Sequence, residues 1–311
     1  MSIHCGIVAG PNSYLLIEKL INICEKLSFY KINWLLMVDK IKKINIKKSN
    51  KILMNENDFS NLQNRKNIKI DYFDTEIKCS GGDRHGYGID LIIRKLNKNN
   101  KIIILEPDSF PCHYYWDKIL LKKLDKEHPI VVMSKEGVID KNYKRIINKN
   151  HYIRSKYCGD IGLLAITTKF FVNNNLTFMK HNNILNCKVN KNLEELFYNK
   201  PNIIIDNKNI AEIFDVNIGD KLQKEFGWRI AYEMNIQNKN SKKLKFFIYN
   251  PKNNHHSIDV IFYKDKIFAI HLHFSRYITS ELLNNYKKNI FDLLQHYNKD
   301  ENILNIFNNY F

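Results

Sequence analysis

The chain has 311 residues, enough to bury a sizeable core as one large domain or two modest ones, and 44% hydrophobic with 26% charged residues is the balance of a globular protein. No apolar run approaches the roughly 20 residues that span a bilayer, and the start of the chain has no basic segment followed by an apolar one, so a cytoplasmic location without a transmembrane segment is expected (host cytoplasm, if the AT-rich coding bias belongs to a large DNA virus). The net charge of +17 comes from Lys spread along the whole chain among abundant Asn and Ile, which argues against specific nucleic-acid binding and leaves a basic surface that could attract anionic substrates or, peripherally, membrane headgroups.

Residues 6–9 form a short apolar run ending at Gly10-Pro11-Asn12-Ser13, which reads as a strand, a turn and a helix start capped by Asn12 or Ser13. Leu16, Leu20, Ile23, Cys24 and Leu27 follow at helical spacing, and 32–38 is a buried strand closing on Asp39. The pattern then repeats: a strand at 68–73, a polar loop, and a helix with Ile89, Ile92, Ile93 and Leu96 on one face. A strand at 101–105, a helix at 116–124 and a strand at 130–133 continue it. Such alternation predicts an α/β fold with a mostly parallel central sheet flanked by helices. Ligands bind such sheets beyond the C-terminal strand ends, where Asp39, residues 74–84 and residues 106–108 fall.

The second half is less regular. Residues 163–167 read as a strand and 216–226 as a helix ended by Gly227. Segments 246–249, 260–263 and 267–271 alternate with polar turns, which predicts a mixed or antiparallel second half. From Ser280 onward Leu282, Leu283, Tyr286, Ile290, Leu293, Leu294 and Tyr297 make one apolar helical stripe suited to core packing. The six cysteines, Cys5, Cys24, Cys79, Cys112, Cys158 and Cys187, form no C-x-x-C pair and are expected to be reduced thiols rather than zinc ligands.

The most informative segment is Lys101-Ile-Ile-Ile-Leu-Glu-Pro-Asp-Ser-Phe-Pro111. A buried strand runs into Glu106 and Asp108, two residues apart and so on one side of the chain. Adjacent carboxylates repel unless a cation lies between them. Mg²⁺ or Mn²⁺ suits such oxygen donors and keeps positions open for phosphate. A metal so held would neutralise the charge that develops on a diphosphate leaving group. The structural alternative is an ordinary acidic turn.

With Glu106-Pro-Asp108 in place of a D-x-D motif, the chain resembles the GT-A fold glycosyltransferases. Upstream, Gly81-Gly-Asp-Arg-His-Gly-Tyr-Gly-Ile-Asp90 resembles their Gly- and His-bearing segment leading into a helix. Downstream, Tyr157-Cys-Gly-Asp-Ile-Gly-Leu-Leu-Ala165 and then residues 170–178 resemble the segment lining the acceptor side. Phe214-Asp-Val-Asn-Ile-Gly-Asp-Lys-Leu-Gln-Lys-Glu-Phe-Gly-Trp228 resembles the acid, short helix and Gly-aromatic of that family, and Ile270-His-Leu-His-Phe-Ser-Arg276 its late His motif. In order and approximate spacing the match spans residues 3–276; Glu106 stands where the family has Asp.

The resemblance implies a Rossmann-like GT-A domain over 1–276, with a nucleotide-sugar-binding half at 1–135, an acceptor-binding half at 136–276, and a C-terminal helical segment, 277–311, packed on it. It implies metal-dependent transfer of a sugar from a nucleoside-diphosphate sugar to a hydroxyl of a glycan, protein or lipid-linked acceptor, with inversion. Asp108 would bind Mn²⁺ or Mg²⁺, with Glu106 beside it contacting the metal's surroundings or the ribose. His273 would ligate the metal or the diphosphate, and His271, on the same face, is the alternative. Asp215 would be the general base, or else a helix N-cap. Asp39 and Asp83 would hydrogen-bond base or ribose, Arg84 and His85 the diphosphate, and Gly10 and Gly6 would let the backbone approach the nucleotide. His255-His256 reads as surface loop.

Two other readings compete. A nucleotidyltransferase making nucleotide sugars also uses paired acids, but its early Gly-rich loop carries basic residues, and here none follows Gly10 before Lys19. A non-catalytic glycan- or nucleic-acid-binding protein is the other.

Overall fold

The computed structural model describes residues 2–10, 13–40, 59–74, 81–147, 160–178, 204–205, 208–209, 230, 233–234, 237–250, 257–272 and 280–311. The first half alternates as its apolar periodicity requires. Strand β1 (Ser2–Ala9) leads to helix α1 (Tyr14–Leu27) and strand β2 (Lys31–Asp39). A four-residue helix α2 (Ser60–Gln63) precedes β3 (Ile68–Phe73), and helix α3 (Gly81–Lys95) precedes β4 (Lys101–Leu105). Then come β5 (Ser109–Pro111), helix α4 (Trp116–Lys123), β6 (Ile130–Ile139), β7 (Arg145–Ile147), β8 (Asp160–Thr167) and helix α5 (Thr168–Asn173). The rest comprises a small β9–β10 hairpin (Ile204–Ile205, Lys208–Asn209), strands β11 (Ser241–Tyr249), β12 (Ile258–Tyr263) and β13 (Lys266–His271), and helices α6 (Ser280–Tyr297) and α7 (Glu301–Tyr310).

The central sheet runs β3-β2-β1-β4-β8-β6-β11-β12-β13-β5, with β7 attached to β6. Strands β3, β2, β1 and β4 are mutually parallel, the product of the alternating first half. Beyond β4 the ladder is antiparallel except where β11 lies parallel to β6. Strand β8 enters antiparallel between β4 and β6, so strands consecutive in the sequence pattern are not neighbours in space. The α/β fold with a helix-flanked central sheet and a mixed second half is the one that the hydrophobic periodicity predicts, but the sheet as a whole is mixed rather than mostly parallel, because the second-half strands join the same sheet beyond β4.

Residues alternate across this sheet into two cores. Ile103 and Leu105 of β4 face one, shared with α1, α4, α6 and α7 through Leu20, Trp116, Leu293 and Phe307. Ile102 and Ile104 face the other, shared with α3 and α5 through Ile89, Ile92, Ile93 and Phe171. Helix α3 lies close on β1 because residue 6 is glycine: a Cβ there would stand 2.4 Å from Ile92 Cγ2. Gly6 thus serves helix packing, not the nucleotide approach expected of it. The C-terminal helices complete the first core. Asp300 caps α7 by accepting from the Asn302 and Ile303 amides, and Lys19 of α1 donates to the Phe311 carbonyl at 2.9 Å.

One connection shapes the site. Three residues, Glu106-Pro107-Asp108, join β4 to β5, yet β8, β6, β11, β12 and β13 lie between those two strands in the sheet. Three residues span at most about 11 Å. The sheet must therefore curl until its last strands return to the end of β4. This return brings the end of β13 beside Glu106 and Asp108.

Candidate functional site

The strand parity of β4 continues into the turn. Ile102 and Ile104 face α3, and Glu106, next in that series, meets His85 of α3, whose Nε2 lies 3.3 Å from Glu106 Oε1. The turn is fixed by backbone bonds: the Glu106 amide donates to the Gly162 carbonyl at 3.0 Å, and the Ser109 amide to the Glu106 carbonyl at 3.0 Å. The Leu272 amide donates to the Asp108 carbonyl at 3.1 Å, which ties β13 to the turn. Asp108 is 2% exposed.

His271 closes the cluster. It pairs with Ser109 of β5 on one side and Asp259 of β12 on the other. Its Nε2 is 3.0 Å from Glu106 Oε2 and 3.5 Å from Asp108 Oδ1, and its Nδ1 is 3.2 Å from Asp259 Oδ2. Among the described residues, Glu106, Asp108 and His271 form the one group whose donor atoms lie within 4.8 Å of one another in the manner of a metal site. The ring fits because residue 162 on β8 is glycine; a Cβ there would be 3.1 Å from His271 Cγ and 3.0 Å from Ser109 Oγ.

The electrostatics are those of a strongly coupled centre. Burial alone would raise the Glu106 carboxyl, but hydrogen bonds from His271 and His85 outweigh it and hold the group well below the usual carboxylate range. Burial alone would likewise lower the His271 imidazole. The charge of Asp108 and hydrogen bonds to Asp108, Asp259 and Glu106 outweigh that and raise it well above the ordinary histidine range. Three carboxylates thus converge on one imidazolium. A divalent cation at Nε2 would supply two positive charges in place of one proton, and two carboxylate donors with one imidazole suit a first-row ion. The donor set fits a metal.

Several of the other sequence-predicted residues stand near this cluster. Asp39, at the end of β2, is buried and accepts a paired hydrogen bond from Arg84, whose Nε lies 2.7 Å from Oδ2 while Nη2 reaches Oδ1. The two residues expected to meet ribose and diphosphate therefore meet each other, next to His85 on the first turn of α3. Asp83 lies in that same turn, with its side chain outside the described residues. Gly10 follows β1, and an added Cβ there would meet no atom of the described residues within 4 Å. Asp215, His273 and His255-His256 lie outside the described residues. The histidine found in the cluster is His271, the alternative that period-two spacing leaves open. Sequence reasoning did not single out Asp259 or Gly162. The signal for Asp259 was an acid inside the apolar run of β12, where a charged residue is seldom buried without a partner.

No protein-family profile matches the chain, and no curated protein does. Among solved structures it is similar to the WbbM bifunctional glycosyltransferase, with 12% identity over 56% of this chain and 33% of that one and a TM-score of 0.38. It is similar to the 1-349 portion of S. aureus TarS in complex with UDP-GlcNAc, with 13% identity, 57% and 48% coverage and a TM-score of 0.37. It is also similar to the galactosyltransferase LgtC in complex with donor and acceptor sugar analogs, with 11% identity, 54% and 58% coverage and a TM-score of 0.34. The chain thus matches between a third and somewhat over half of the length of these structures. Function is decided by the residues of the site, not by likenesses this distant. No helix among the described residues is long and apolar enough to cross a membrane.

Proposed function

We propose that this chain is a metal-dependent glycosyltransferase that moves a sugar from a nucleoside-diphosphate sugar to an acceptor hydroxyl with inversion. The observation that carries the reading is the convergence of Glu106, Asp108 and His271 at the C-terminal end of β4, the strand where the parallel half meets the antiparallel one. Asp108 and His271 would hold the metal with Glu106 beside them, and His273 remains the further candidate from the late His motif. The imidazole donor favours Mn²⁺ over Mg²⁺, which takes oxygen donors almost exclusively. Bound there, the ion would supply Lewis-acid stabilisation of the departing diphosphate.

The chain's own groups do the rest in this reading. The Asp39–Arg84 pair and Asp83 orient base and ribose, and His85 with the first turn of α3 faces the diphosphate, where helix amides favour an anion. Gly10 leaves room for the nucleotide. Asp215 takes the acceptor proton. Residues 1–135 form the donor half, 136–276 the acceptor half, and 277–311 their helical buttress. The nucleotidyltransferase reading loses further ground, because Lys19, the first basic residue after Gly10, is turned onto the chain's C-terminal carbonyls.

The test is thermal-shift binding of a panel of nucleoside diphosphates, with and without Mn²⁺, on the wild type and on Asp108→Ala. A ligand at a hundred times its dissociation constant stabilises by about 2.7 kcal/mol. Metal-dependent stabilisation by one diphosphate, lost in the variant, supports the reading. Stabilisation by none, with or without metal, refutes it.

A further inference from the structure

We propose that Asp259 is a positioning residue that fixes the tautomer and orientation of His271, so that Nε2 is the atom presented to a divalent cation; this rests on reading the Glu106, Asp108 and His271 cluster as a metal site. The two ring nitrogens of His271 have different surroundings. Nε2 faces Glu106 and Asp108, at 3.0 and 3.5 Å, whereas Nδ1 faces Asp259, at 3.2 Å. A carboxylate accepts hydrogen bonds and donates none. Without a metal both nitrogens can donate to carboxylates; when a cation between Glu106 and Asp108 takes the place of the Nε2 proton, the proton that remains is on Nδ1, where Asp259 accepts it.

The arrangement is set by register rather than by chance contact. Asp259 and His271 are direct cross-strand partners of the antiparallel β12–β13 pair, so their side chains share one face at close range. Asp259 is fully buried between the buried Ile258 and Val260. A carboxylate in such a strand is costly, and an apolar residue would serve the core better. Among the described residues, the His271 ring gives it a partner there. Ser109 of β5 and the bare backbone of Gly162 on β8 bound the same ring on its other sides. The ring is thereby confined, and a metal-ligating histidine is tuned in this way by the group on its second nitrogen.

The experiment is a Mn²⁺ titration of the full chain, followed by electron paramagnetic resonance of the free ion, on wild type, Asp259→Asn and Asp108→Ala. An amide can donate as well as accept, so Asp259→Asn admits the wrong tautomer and is expected to weaken Mn²⁺ binding 10- to 100-fold. A role confined to packing would leave the affinity unchanged. Undiminished Mn²⁺ affinity in Asp259→Asn, beside a wild type that binds and an Asp108→Ala that does not, overturns the assignment of Asp259 alone. A wild type that takes up no Mn²⁺ overturns the metal reading and this inference with it. Should Asp259→Asn fail to fold, ¹⁵N-histidine spectra of the wild type loaded with diamagnetic Cd²⁺ decide the matter, with the His271 signal identified by its loss in His271→Gln. A protonated Nδ1 and a cadmium-bound Nε2 support the proposal, and the reverse overturns it.

Discussion

Replacing His271 with Gln removes the imidazolium that lies among three carboxylates while keeping a polar side chain. The nitrogens lost stand 3.0 Å from Glu106, 3.5 Å from Asp108 and 3.2 Å from Asp259. Breaking a buried ion pair from one side costs about 3–5 kcal/mol. Glu106 keeps about a quarter of its side chain in solvent, which screens its share, so the metal-free protein should lose about 3 kcal/mol. At roughly 2 °C per kcal/mol for a chain of this size, that is a fall of about 6 °C in Tm. The loss has a defined pH dependence. The folded-state pKa of His271 is raised, so its contribution is fully present below about pH 6.5 and fades as pH rises through the raised value. Glu106 is depressed, so its contribution is present above about pH 4.3 and fades as pH falls through the lowered value. The gap between wild type and variant should thus be widest between about pH 4.3 and 6.5 and narrow above it. Urea denaturation across pH 4–9 with EDTA present measures this. A gap below about 1 kcal/mol, or one constant with pH, refutes the electrostatic account of the cluster.

Two further substitutions probe how the fold holds the site. Gly162→Ala places a Cβ 3.1 Å from the His271 ring and must push it by a few tenths of an ångström; overpacking costs about 1–3 kcal/mol, partly offset because alanine is the better strand residue. Mn²⁺ affinity should fall several-fold in a calorimetric titration, and an unchanged affinity would show that β8 does not set the ring. Asp117→Ala leaves the Phe29 and Tyr30 amides, each 2.9 Å from its carboxylate, without their acceptor. The cost should be about 2–5 kcal/mol by urea denaturation with no change in Mn²⁺ affinity, and a cost below about 1 kcal/mol would mean that water replaces the carboxylate.

Much of the first half was legible because two periodicities carry it. Short apolar runs such as 102–105 read as buried strands by their length and flanking polar residues, between helices whose apolar residues recur at three and four, and the acids at 106 and 108 stand out where such a strand stops. What was not legible depends on long-range pairing. Strand β5 has three residues, too few for any period, yet its pairing with β13 is what delivers His271. Period two places His271 and His273 on one face and cannot choose between them. Helix α7 falls within the helical segment expected over 277–311 but was not read as separate from α6, although Asp300, Ile303 and Phe307 give it a cap and an apolar face, because its ten residues follow the longer stripe of α6 after a break of three. Asp39 and Arg84 were each read as ligands of a nucleotide, since nothing in sequence brings the end of β2 to the first turn of α3.

The central claim, that the Glu106, Asp108 and His271 cluster binds a metal that holds a diphosphate, is tested most directly by a crystal structure of the chain grown with Mn²⁺ and UDP, with diffraction recorded at the manganese absorption edge. The account predicts an anomalous peak about 2.0–2.2 Å from Asp108 and from His271 Nε2, with the diphosphate on its open side toward α3. A peak elsewhere, or UDP bound away from β4, would contradict it.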